Sequence, residues 1–338
     1  MSFPSQPEQL TKEWLSAALG REITDFEVEL FGEGAGIIGQ VTRVHLNNKT
    51  ESIIAKFPSP SPENRAVAAT YDMYGREVNF YREVNDSVSV RAPDCYHADY
   101  NPETLDFILL LEDLQDMRIG DQVAGCSASD ARNVVEGIAK LAASSWDTDL
   151  ALISHNNPAQ CDGMIGGFQV GWPVVNEQFG TLIPEAAKNL DEKIPTAVPR
   201  LLDTLCTPPI SICHADVRLD NVFFGPDEIA LVDWQSVCTS APEQDLAYFV
   251  TQSLSDEVRN SEDWVALYHS HLVDQGVTNY SLDQCRDRYV TAALYLVCYA
   301  TIISGTLDLA NERGRQLGET LFGNAMRSLT ELNAFDLL

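Results

Sequence analysis

Apolar positions recur in two rhythms along the chain, and the rhythm changes near residue 115. Before it, short strand-like runs dominate. Phe26-Glu27-Val28-Glu29-Leu30 and Val41 to Leu46 place apolar side chains at every second position, the period of a half-buried strand. Ser52 to Phe57 and Phe107 to Leu111 read as short apolar strands, the first stopped by Pro58, Pro60 and Pro62 and the second running into Glu112-Asp113-Leu114. Two helices are predicted among them: Thr11 to Leu19, with Thr11 as N-cap and Gly20 as stop, and Tyr71 to Val84. Beyond 115, Ser129 to Trp146 has helical spacing and Ser129-Asp130 offers a cap. Residues 155–200 hold many Gly and Pro and show no clean period. Pro209 to Phe224 and Ile229 to Val232 read as strands, and the chain is helical from Pro242 onward. The pattern predicts a small sheet-rich part, then a larger helical one.

Composition narrows the class. The 338 residues suit two domains or one two-lobed fold. Hydrophobic residues at 45% and charged residues at 21% are ordinary globular values, which excludes disorder, collagen and coiled coil. The net charge of −28 repels phosphate backbones and anionic lipid, so neither nucleic acid nor a membrane surface is an expected partner. That acidity fits a cationic or neutral ligand, but its simpler reading is a need for solubility or a salty habitat. Eight scattered cysteines with no C-x-x-C pair read as reduced, mostly buried thiols. The start, MSFPSQPEQL, lacks the basic and apolar regions of a signal peptide, and a cytoplasmic location is expected. Tyr289 to Leu307 carries no charge over 19 residues, but its Thr, Ser and Tyr content predicts a buried core helix rather than a membrane span. No obligate protein partner is evident.

Three constellations could carry chemistry. Gly34-Ala35-Gly36-Ile37-Ile38-Gly39 matches G-x-G-x-x-G, yet Gln40 to Leu46 continue as a strand where a dinucleotide fingerprint needs a helix. A glycine turn between strands either covers nucleotide phosphates or is an unliganded hairpin. A dinucleotide-dependent oxidoreductase would rest on this run alone. Lys56 ends a strand. Along Tyr71–Val84, Met73, Glu77, Phe80 and Val84 share one helical face, whereas Arg76, Asn79 and Glu83 form the polar one. A carboxylate on the apolar stripe needs a cation, so Glu77 rather than Glu83 is the expected partner of Lys56.

The third constellation is His214-Ala215-Asp216-Val217-Arg218-Leu219-Asp220-Asn221, followed by a hairpin that ends in Val232-Asp233-Trp234. A turn centred on Asp227 would set Asn221 opposite Asp233, with Cβ atoms about 4.5–5.5 Å apart. That spacing suits one hard cation held by an amide oxygen and a carboxylate, as Mg²⁺ is held beside phosphates. Asp216, upstream in the same loop, is a third acidic group free to face a hydroxyl nucleophile.

With these residues in view, the sequence resembles the aminoglycoside phosphotransferase and choline kinase side of the protein-kinase-like fold, most of all its ecdysteroid-kinase-like branch, over roughly residues 25–330. His214 to Asn221 is similar to that group's His-Gly-Asp followed by Asn, with Ala215 in place of glycine. Asp233-Trp234 stands where the later metal aspartate falls. Lys56 and Glu77 match the lysine–glutamate pair, and Phe107–Leu114 looks like the hinge strand. Asp245 matches an Asp-Leu-Ala, with a role in bracing the catalytic loop or capping a helix. The resemblance implies an α+β, two-lobed fold: an antiparallel-sheet N-lobe over residues 1–114 and a mainly helical C-lobe over 115–338. It implies an ATP- and Mg²⁺-dependent small-molecule kinase acting on a hydroxylated acceptor. Asp216 would be the catalytic base and Asn221 and Asp233 the metal ligands. Lys56, Glu77, Gly34 and Gly36 would bind the nucleotide, with the backbone of Glu112 and Leu114 on the adenine edge. The alternative is a nucleotide-binding pseudokinase or regulatory module on the same fold. Aromatic residues of 164–180 either line the acceptor pocket or form an ordinary packing cluster.

Overall fold

The computed structural model describes residues 3–31, 38–148, 152–226 and 228–338. It has two compact units. One comprises Met1–Asp86, Ala92–Met117 and Val232–Ser236, and the other Ser87–Arg91, Arg118–Leu231 and Val237–Leu338.

The first unit is built on a five-stranded antiparallel sheet of β1 (Phe26–Leu30), β2 (Gly39–Leu46), β3 (Glu51–Pro58), β4 (Cys95–Asn101) and β5 (Asp106–Glu112), in the order β1-β2-β3-β5-β4. Helix α1 (Lys12–Leu19) is capped by Thr11, whose side chain accepts from Trp14 N–H, and stops at Gly20 in the left-handed region (φ +65°). Strand alternation divides the side chains between two faces. Ile53, Ala55 and Phe57 of β3 join Val44, Leu46, Ile108, Leu110 and Leu15 in one core. Lys56, at the intervening position, points to the other face, where Phe107 meets Tyr74 at 4.6 Å between ring centres.

The chain from 59 to 87 differs from the single helix that its spacing predicts. Ser61 caps a helix α2 (Pro62–Thr70), with Pro62 in its first turn, so this proline starts an element as well as ending a strand. Asp72 then turns left-handed (φ +50°) and breaks the path before α3 (Met73–Asn79), which widens into a π-helical turn at Phe80–Val84. Gly75 permits this, because a Cβ there would lie 2.4 Å from the Asp72 carboxylate.

The second unit contains β6 (Arg118–Ile119), α4 (Ala128–Ser144), α5 (Pro158–Phe179), α6 (Leu190–Leu205), β7 (Ser211–Cys213), β8 (Val222–Phe224), β9 (Ile229–Leu231), β10 (Cys238–Ser240), α7 (Gln244–Tyr248), α8 (Asp256–Arg259), α9 (Trp264–Asp274), α10 (Leu282–Tyr295), α11 (Val297–Thr306) and α12 (Glu312–Glu331). Helix α4 starts one residue earlier than its spacing suggests, on a Ser127–Asp130 capping box. The stretch 155–200, without a clean period in sequence, is two helices that carry Pro173, Pro195 and Pro199 internally. Tertiary packing overrides the proline penalty here. Phe168, Trp172 and Phe179 of α5 are buried; Phe168 stacks on Trp172, and Trp172 and Phe179 meet Phe322 of α12. The backbones of α5 and α11 meet at Gly171 and Gly305, where a Cβ on Gly305 would lie 2.6 Å from the Gly171 Cα. The stretch Leu282–Thr306 is long and apolar enough to cross a membrane by length and composition, with an 18-residue window of mean hydropathy 1.4, but 61% of that window is buried within the fold. It divides at Leu296 into α10 and α11.

Candidate active site

Two groups of residues form, one in each unit. In the first, the Lys56 ammonium lies 2.7 Å from Glu77 Oε1 and 2.5 Å from Asp233 Oδ1. The Lys56 and Glu77 side chains are 8% and 1% exposed, so the shared cation is nearly dry. Glu77, not the exposed Glu83, meets the lysine, as the helix-face argument requires. Burial pulls the lysine's pKa down, but the Asp233 and Glu77 carboxylates outweigh it and leave it above the usual value. Burial raises Glu77, and the Lys56 charge opposes that rise. Asp233 adopts a left-handed backbone (φ +67°) and accepts from Gln235 Nε2 at 3.1 Å. Next in the chain, Trp234 stacks on Phe80 with ring centres 3.8 Å apart.

The glycine run falls partly beyond this picture: Gly34 and Gly36 lie outside the described residues. Gly39 is described. A Cβ there would come within 3.1 Å of the Phe57 carbonyl and 3.5 Å of Lys56 Cε, so the lack of a side chain lets β2 run close over the lysine stem. At the end of β5, Glu112 N–H donates to the Asp94 carbonyl and the Leu114 carbonyl accepts from Met117 N–H. Between them Asp113 is clamped by Arg43 Nε at 2.6 Å and Ser52 Oγ at 2.5 Å, which anchors the segment to β2 and β3.

The second group is the loop from His214 to Asn221. Buried Asp245 accepts the backbone N–H groups of both His214 (2.7 Å) and Ala215 (2.8 Å). It braces the loop, one of the two roles the sequence left open. Burial pushes its pKa up to about 7, with those two N–H groups pulling down and the Asp216 charge pushing up. Ala215 holds a left-handed φ of +62°, which explains why glycine suits this position. Asn221 Nδ2 donates to both the carbonyl and Oδ2 of Asp216, each at 3.0 Å. With its N–H pair thus spent, Asn221 presents Oδ1 as its remaining hydrogen-bonding and metal-ligating atom. Arg218 lies 3.7 Å from the Asp216 carboxylate. The Tyr248 phenol also faces Asp216; burial and that charge raise its pKa.

The hairpin register corrects the geometric argument made for the metal ligands. Val222 pairs with Leu231, Phe223 with Ala230 and Phe224 with Ile229, and Gly225 N–H bonds the Glu228 carbonyl. The centre therefore falls between Pro226 and Asp227, half a residue before the expected one, so Asn221 and Asp233 are not ladder partners. Asn221 instead ends a 3₁₀ turn, Leu219–Asn221, immediately before β8.

Sequence reasoning missed two supports. Buried Gln122 accepts Leu219 N–H at 2.8 Å through Oε1, donates through Nε2 to the Gln252 carbonyl, and donates its own N–H to Asp220. Tyr248 is the other. Gln122 lies far in sequence from the loop, in a stretch with no motif of its own, whereas Tyr248 directly follows the Asp245-Leu246-Ala247 match.

A family model described as the ecdysteroid kinase-like family matches residues 33–278. The chain belongs to that family. No curated protein matches it. Among solved structures, this ecdysteroid kinase-like chain is similar to a choline kinase from Cryptosporidium parvum, at 13% identity and a TM-score of 0.60, covering 93% of this chain and 91% of that one. It is also similar to choline kinase LicA from Streptococcus pneumoniae, at 16% identity and a TM-score of 0.52, covering 95% and 97%. A putative aminoglycoside phosphotransferase from Ralstonia eutropha matches at 14% identity with a TM-score of 0.52, again covering 95% and 97%. The fold is the two-lobed, kinase-like α+β fold.

Proposed function

We propose that this protein transfers the γ-phosphate of ATP, with Mg²⁺, to a hydroxyl of a small molecule. The observation that carries this reading is Lys56 held between Glu77 and Asp233: a buried ammonium fixed by one carboxylate and shared with a second that suits a metal. In this reading Lys56 neutralises the α and β phosphates and Glu77 keeps it aimed. The backbone of Glu112 and Leu114, at and just past the end of β5, takes the purine edge in this reading. The donor set fits a hard cation, because Asp233 brings a carboxylate and Asn221 turns its amide oxygen away from Asp216. A bound Mg²⁺ would supply charge neutralisation on the transferring group. Asp216, fixed by Asn221, accepts the proton of the acceptor hydroxyl and orients its oxygen. Asp245 and Gln122 hold the loop still while it does so. Choline kinase and aminoglycoside phosphotransferase neighbours support a small hydroxylated acceptor. The test is ATP-dependent gain of one phosphoryl mass across a panel of hydroxylated metabolites, repeated with Asp216→Asn. Turnover should fall about 10²–10⁴-fold while Mg·ATP affinity is kept. Full turnover by Asp216→Asn would sink the assigned mechanism.

A further inference from the structure

Arg76 departs from its expected place on the polar face of its helix. It is only 6% exposed, and its Nε is sealed from solvent with no hydrogen-bond partner. Among the described residues, every other arginine has an acidic or carbonyl partner for its side chain. Arg76 has none, in a chain with 50 acidic residues. Its two Nη groups are not among the sealed atoms, so the guanidinium fork opens to accessible surface at its tip. Burying an uncompensated cation costs several kcal/mol in general, and a fold retains one where something else supplies the counter-charge. Its placement indicates what that is. Arg76 directly precedes Glu77, the partner of Lys56. One helical turn on, Phe80 stacks on Trp234, the residue after Asp233, and α3 packs on that Trp234–Ser236 turn.

We propose that Arg76 is a binding residue for a phosphate oxyanion, received on the flank of α3 beside the Asp233–Trp234 turn. The proposal rests on the nucleotide reading for its choice of phosphate. A guanidinium fork matches the paired oxygens of a phosphate better than any ammonium does. Leaving it without a protein carboxylate keeps it open to an anion that arrives and departs. The phosphate belongs either to the nucleotide's tail or to free phosphate.

The experiment compares wild type, Arg76→Met, Arg76→Lys and Lys56→Met. Each is titrated calorimetrically with ATP, tripolyphosphate and inorganic phosphate, beside ligand-free thermal unfolding. Arg76→Met keeps the apolar stem and removes the charge. It should unfold at the same or a higher temperature than wild type, yet lose about 10- to 100-fold in affinity for tripolyphosphate. Arg76→Lys should retain part of that affinity. Loss confined to ATP and tripolyphosphate identifies the nucleotide tail as the source, whereas loss that extends to inorganic phosphate identifies free phosphate. Wild-type affinities in Arg76→Met, or a lowered unfolding temperature with affinities unchanged, overturn the proposal. If Lys56→Met loses ATP and Arg76→Met does not, the nucleotide reading stands and the Arg76 site falls. If Lys56→Met binds ATP normally while Arg76→Met loses tripolyphosphate, the reading around Lys56 falls and the oxyanion site stands. Wild type that binds none of the three ligands ends both.

Discussion

Removing Lys56 and removing Glu77 should have unequal consequences, because the lysine serves two carboxylates at once. Lys56→Met leaves Glu77 (1% exposed) and Asp233 (23% exposed) facing each other with no cation. Stranding a buried charge costs about 3–5 kcal/mol. Glu77→Gln instead leaves Lys56 paired with Asp233 at 2.5 Å, a neutral arrangement, so it should change stability by no more than about 1 kcal/mol. The double variant, with one carboxylate and no cation, should cost less than Lys56→Met alone. The cycle then gives a coupling of about 2 kcal/mol. The pH dependence adds a sign. In Lys56→Met the two carboxylates repel, and their folded pKa values rise above the ordinary range near 4. Stability is then full at low pH and lost as pH rises through the raised folded values, so the deficit should shrink between about pH 8 and pH 5. Wild type has no such component from Lys56, whose raised pKa keeps it charged throughout that window. Urea unfolding of the four proteins at both pH values measures all of this. A Glu77→Gln cost equal to that of Lys56→Met, or a Lys56→Met deficit that ignores pH, would refute the shared-cation account.

Two more outcomes concern the His214–Asn221 loop. Asp245 has a folded pKa of about 7 against an ordinary 3.8, so its contribution is present below about pH 4 and lost as pH rises to about 7. Asp245→Asn should flatten that part of the stability–pH curve, on the order of a few kcal/mol, and equal slopes for the two proteins would contradict the burial argument. Ala215→Gly should be nearly neutral, within about 0.5 kcal/mol, because relief of the left-handed strain offsets the lost methyl and the added chain entropy. Ala247→Gly, equally buried but in ordinary helix, should cost about 1 kcal/mol or more, and similar costs at both sites would argue against strain at Ala215.

By itself the sequence determined what local rules control. Strand alternation and the caps at Thr11 and Gly20 are properties of neighbouring residues, and the elements form there as the pattern requires. Helical periodicity was enough to choose Glu77 over Glu83, since which face a side chain occupies follows from backbone geometry alone. The Asp216 loop and Asp233 stood out as candidates because they fall within one short span, residues 214–234, and Lys56 because it ends a strand. Tertiary structure decided the rest. Prolines inside α5 and α6 hid two helices, because packing against other helices compensates a penalty that a local reading counts in full. The hairpin register turned on one backbone bond, Gly225 to Glu228, and half a residue was enough to separate Asn221 from Asp233 in the ladder. Arg76 shows the same limit: periodicity placed it on a polar face, yet the fold leaves it only 6% exposed, and burial set by packing between distant segments is not encoded in a local pattern.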